Sequence, residues 1–86
     1  MTLQDASRIT GREIKVHTTA HGPWEDITWK TATHDMQIVM GRCLDTDLPE
    51  VMVFGEPHSA FCGRRRPHRI WVINPSEKYL KKLAIV

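Results

Sequence analysis

Leu3, Ala6 and Ile9 recur at a spacing of three, which makes one apolar stripe over two helical turns. Thr2 with Asp5 has the form of a capping box, Asp standing for the usual Glu, and Gly11 supplies a stop. Glu13-Ile14-Lys15-Val16-His17 alternates with the period of a half-buried strand. Gly and Pro then punctuate Ala20-His21-Gly22-Pro23 as a turn. The β-branched and aromatic content of Ile27-Thr28-Trp29-Lys30-Thr31-Ala32-Thr33 predicts a strand. A hairpin turn at His34-Asp35 leads to a further strand with Met36, Ile38 and Met40 on one face.

Beyond a polar connector from Asp45 to Pro49, Val51-Met52-Val53-Phe54 is continuously apolar, the pattern of a strand covered on both faces. Residues 55–67 are rich in Gly, Pro, His and Arg without usable period, and read as a long surface loop or hairpin arm. Ile70-Trp71-Val72-Ile73 repeats the continuous apolar pattern and is expected as a second central strand, with Trp71 in the core. In Asn74-Pro75-Ser76-Glu77, Asn is expected to cap, Pro to take the first helical position and Glu to reach back to the cap. Tyr79, Leu80, Leu83 and Ala84 share the apolar face of the helix that follows. The expected fold is α+β: a small, mostly antiparallel sheet of four to five strands with a short N-terminal helix and a C-terminal helix against one face.

Length limits what such a fold contains. A chain of 86 residues buries about 64% of its surface, enough for a single compact domain spanning 1–86 but not for separate cofactor and substrate domains. The longest apolar runs are four residues, too short for a membrane helix, and the N-terminus lacks the succession of a signal peptide. Two cysteines, Cys43 and Cys62, are too few for a disulfide scaffold. They read as reduced thiols of a cytoplasmic protein.

Charge changes the picture more. Residues 1–57 hold five bases and nine acids, whereas residues 58–86 hold seven bases and one acid, so a net charge of +2 conceals a polar chain. Arg64, Arg65 and Arg66, with Arg69 close behind, are bracketed by Gly63 and Pro67 on the expected loop. Adjacent guanidiniums repel and cannot share one buried partner, but they fit phosphate or carboxylate oxygens bidentately. Phe61 and Trp71 beside the run offer stacking faces of the kind single-stranded nucleic acids use. Lys78, Lys81 and Lys82 extend the basic region, although the helix dipole accounts for cations in a last turn by itself. Trp24, between Pro23 and two acids, is the expected exposed aromatic and suits a protein interface.

Other chemistry is weaker. His58, Cys62 and His68, with Cys43 upstream, include zinc-ligand types but lack a C-x2-C pair, and Asp45, Asp47 and Glu50 lack a glycine-bearing calcium loop, so no metal or cofactor is expected. Cys62 with His58 has no recognised nucleophile motif around it, and P-loop, dinucleotide and RNP-type patterns are missing from the chain. The expectation is therefore a non-catalytic protein that presents its Arg-rich loop to nucleic acid or to an acidic protein surface. Two alternatives stand beside it: a stoichiometric interaction module such as a phage-type inhibitor of a larger machine, and a small metal-independent endoribonuclease using histidines beside the arginines. Strand edges in so small a sheet leave room for a homodimer.

Overall fold

Thr2 opens the structure, a computed structural model that describes residues 1–58 and 68–85. The Asp5 N–H donates to the Thr2 hydroxyl at 3.2 Å and the Thr2 N–H donates to the Asp5 carboxylate at 3.0 Å, completing the capping box of α1 (Leu3–Thr10). The backbone hydrogen bond from Thr2 is the main reason that the Asp5 carboxyl lies below its usual range. Gly11 ends the helix at φ 69°, a left-handed conformation that costs glycine little.

Five strands follow: β1 (Lys15–Thr19), β2 (Gly22–Lys30), β3 (His34–Cys43), β4 (Leu48–Pro57) and β5 (Ile70–Ile73), and then α2 (Glu77–Ala84). Each strand pairs antiparallel with its neighbour in sequence, so the sheet order is β1-β2-β3-β4-β5. The architecture is the expected α+β one, a five-stranded antiparallel sheet with a helix at either end of the chain. No helix among the described residues is long and apolar enough to cross a membrane.

Register determines the two faces, because alternate side chains point to opposite sides. Ile27, Ile38 and Val53 stand in one cross-strand row, wholly buried. They form one core cluster with Leu3 and Ala6 of α1 and Leu80 of α2, so both helices cover this face. Ile70 and Val72 of β5 pack against the same cluster. Arg12, after α1, ties three elements together: its guanidinium lies 4.4 Å over the Trp29 ring and Nη2 donates to the Leu83 carbonyl at 3.5 Å.

Several boundaries differ from the sequence expectation. The first hairpin turns at Ala20-His21, with Gly22 at φ 107° already paired to Thr19 in the sheet. The second turns through 31–33 rather than His34-Asp35, because the Thr31 hydroxyl accepts from the N–H groups of Thr33 and His34 and supplies the turn itself. Ser76, not Asn74, caps α2 by accepting the Tyr79 N–H at 3.1 Å. Asn74 instead takes φ 52°, a left-handed bend that asparagine tolerates, and carries the chain out of the sheet. The largest correction concerns β5. Among the described residues it is an edge strand, not a central one, and Trp71 is 68% exposed rather than in the core. An apolar run says that both sides of a strand are apolar, whereas only the side toward the helices is covered here.

Gly55 permits the close packing of the covered face. A Cβ at this position would lie 2.8 Å from the Met36 sulfur and 3.0 Å from Ile70 Cβ. The Met36 side chain can yield, but Ile70 Cβ is fixed to the paired strand. Gly55→Val should therefore cost about 1–3 kcal/mol through overpacking, seen as a lowered midpoint in thermal or urea unfolding. An unchanged midpoint would show that the β4–β5 contact is looser than described.

Candidate nucleic-acid or partner interface

Among the described residues the face of the sheet away from the helices is the uncovered one, and the register lays it out in rows. Lys30, Asp35 and Glu56 align across β2, β3 and β4, with Arg69 beside Glu56 just ahead of β5. Thr28, Gln37, Phe54 and Trp71 form the next row, and Asp26, Val39, Met52 and Ile73 the one after. At the far corner His17 stands opposite Trp24.

In the first row Asp35 lies directly opposite Glu56, an arrangement of like charges that destabilises a sheet unless balanced. Both carboxylates have a cationic or titratable neighbour: His58 Nε2 is 3.1 Å from Asp35 and Arg69 Nε is 3.0 Å from Glu56. The side chains of Asp35, Glu56 and Arg69 are more than half exposed, so water screens these contacts and each contributes little to stability. The flanks of the arginine segment are held more firmly. The His58 N–H donates to the Thr33 carbonyl at 2.9 Å, and the His34 ring nitrogen Nε2 lies 2.8 Å from the His68 carbonyl oxygen, donating to it. Both flanks are thus fastened to the β2–β3 turn, at one end of the sheet.

The next row carries the aromatic surface. Phe54 and Trp71 stack at 6.3 Å between centroids with a 16° interplanar angle. Beside Phe54 a shallow groove of about 420 Å³ is bordered by Lys15, Lys30, Gln37 and Glu56. At the opposite corner a polar cluster sits on the same face. Asp26 is 2% exposed, His17 Nε2 lies 2.7 Å from Asp26 Oδ1, and the Gln37 amide donates to Oδ2 at 2.9 Å. The His17 ring in turn stacks on Trp24 at 4.7 Å.

Of the residues singled out in the sequence, Arg69 lies on the uncovered face in its ion pair with Glu56. Trp24 is exposed as expected, at 41%, but less so than Trp71. Lys78, Lys81 and Lys82 are exposed on α2, which packs on the other face of the sheet, so they do not join Arg69 in one patch. Lys81 is engaged with Glu77 one turn earlier at 3.7 Å. Arg64, Arg65, Arg66, Phe61 and Cys62 lie outside the described residues. Cys43 pairs with Leu48 at one end of the β3–β4 hairpin and His34 with Pro57 at the other, roughly 30 Å away at strand rise. Cys43 therefore cannot share a metal with His58, and no cluster of three ligating side chains occurs among the described residues.

No known protein family, curated protein or solved structure matches this chain. What the surface can do follows from its own chemistry: among the described residues, an aromatic pair beside a screened row of mixed charge.

Proposed function

We propose that the chain is a non-catalytic binding protein that presents residues 64–69 to nucleic acid. One observation carries this reading. Of twelve bases against ten acids, removal of Arg64, Arg65 and Arg66 leaves nine against ten, so this triplet holds the whole positive surplus. Its two flanks are fastened to the same end of the sheet, next to the stacked Phe54–Trp71 pair. Guanidiniums bind phosphates through charge and bidentate hydrogen bonds, and exposed aromatic faces accept unstacked bases. Arg69, already paired with Glu56, contributes less than the triplet.

The test is fluorescence anisotropy of labelled single-stranded RNA and DNA over a salt series. Binding should weaken steeply with salt, and Arg64→Ala/Arg65→Ala/Arg66→Ala should flatten the log–log slope by about 2, three phosphate contacts at roughly 0.7 each. A response to salt that is flat for the native chain would remove the phosphate reading. Cleavage of the RNA, abolished by His58→Ala or His68→Ala, would replace it with the ribonuclease one.

The balanced row Lys30, Asp35, Glu56 and Arg69 and the apolar Phe54–Trp71 corner favour a second reading, a stoichiometric module that docks on another protein. Capture of one protein at fixed stoichiometry, persisting after nuclease treatment, would support that reading over nucleic acid.

A further inference from the structure

We propose that β5 pairs antiparallel with β5 of a second copy of this chain, about a two-fold axis at Val72. The inference does not depend on what the arginine segment binds.

The backbone comes first. Among the described residues only β4 flanks β5. The Asn74 N–H donates to the Val51 carbonyl at 2.7 Å, and these residues are in register with the pairs Met52↔Ile73 and Val53↔Val72. Hydrogen-bonded pairs alternate along an antiparallel ladder. Ile70 and Val72 thus bond inward to β4, whereas the N–H and C=O groups of Trp71 and Ile73 point outward along the edge. Natural edges are normally blunted by charge, proline or a bulge. The other edge, β1, carries Lys15 and polar residues, but Ile70-Trp71-Val72-Ile73 has no such guard.

Side chains and charge select a second copy as the occupant. With the axis at Val72, Trp71 meets Ile73 of the second copy and Ile73 meets its Trp71, and these are the residues whose backbone groups point outward. On the uncovered face the rows become Phe54, Trp71, then Ile73 and Met52 of the second copy, and the reverse. Trp71 and Ile73, 68% and 41% exposed, thereby gain β-branched and aromatic neighbours along the seam. At the ends of the pairing the charges are complementary. Arg69 lies on the uncovered face just ahead of β5, and Glu50 lies on the same face of β4 opposite the point where the chain leaves β5. The two-fold brings Arg69 of each copy toward Glu50 of the other, beside the acidic β3–β4 turn with Asp45 and Asp47. A register one step away, centred on Trp71, places Arg69 against Ile73 instead. Four-residue strands bury little, roughly 1,000 Å² or less in total, so the dimer is of the weak, concentration-dependent class.

The test is sedimentation equilibrium of the full chain over a concentration series. A reversible monomer–dimer equilibrium is expected, and either Trp71→Lys or Ile73→Lys should shift it at least tenfold toward monomer while leaving the melting midpoint nearly unchanged. Glu50→Lys should weaken it severalfold, more at low salt than at high. With Cys43 and Cys62 replaced by Ser, Val72→Cys should cross-link to itself on mild oxidation, since residues at the axis face each other. A chain that stays monomeric throughout, a dimer indifferent to both lysine variants, or a Val72→Cys chain that fails to cross-link would overturn the proposal.

Discussion

Ile38→Ala should destabilise the protein by about 3 kcal/mol, the middle of the range for deleting a buried isoleucine down to its Cβ. Ile38 lies in the central strand, wholly buried, with Ile27 and Val53 directly across on either side and the helices packed over the same cluster. Its cross-strand neighbours are β-branched side chains held in the sheet, which can fill only part of the space. A domain of this length has roughly 4–13 kcal/mol of stability in all. The substitution should thus lower the melting midpoint by roughly 12–24 °C, and Ile38→Val, which leaves a much smaller cavity, by far less. Chemical denaturation of both variants checks this. A loss under about 1 kcal/mol for the alanine variant would mean that the core collapses around the gap.

Asp26→Ala should cost about 2–4 kcal/mol, although it lies on the face that no helix covers. The carboxylate is nearly inaccessible and accepts from both His17 and Gln37. Its removal takes two hydrogen bonds to a charged acceptor from the half-buried His17 and Gln37 and leaves a gap where a nearly inaccessible side chain stood. The exposed pairs make the contrast. Arg42 with Asp47 and the Arg8 end of the Arg8–Asp5 pair are largely solvated, and truncating Arg42 or Arg8 should change stability by less than about 1 kcal/mol. A double-mutant cycle on His17 and Asp26 isolates their coupling, and a coupling near zero would show that the cluster is packing alone. Replacing His17, Asp26 and Gln37 together by leucine should be much milder than Asp26→Ala, since no donor is then left unmatched.

The fold was legible because the signals for it are local. Thr2, Asp5 and Gly11 mark both ends of α1 through hydrogen bonds within a few residues, and the strands need only periodicity and breaks. Positions at which two local rules compete are where the reading slipped. Asn74 and Ser76 are both good caps; asparagine also accepts the left-handed bend, so serine was left to cap the helix. Burial of Trp71 was misjudged because an edge strand and a central one have the same apolar run, and only pairing separates them. The His17–Asp26–Gln37 cluster was missed although a signal for it exists. A two-residue turn at Ala20-His21 sets His17 opposite Trp24 and Lys15 opposite Asp26, and alternation then puts these four side chains on one face. Without the turn, that register is not fixed. Among the candidate site residues, the placement of Arg69 on an open face beside a carboxylate depends on such pairing, as does the separation of the α2 lysines from it.

The strictly sequential strand order has a kinetic consequence. Every strand pairs with its neighbour in sequence, three of the four pairs through short turns, so most steps bring together segments tethered at short range and no crossover has to wait for a distant strand. Among the described elements the longest closure is α1 against α2, where Arg12 reaches the Leu83 carbonyl across most of the chain. A sheet of this kind should zip up strand by strand and fold faster than a β-sandwich of the same length, with the meeting of the two helices as its most distant contact.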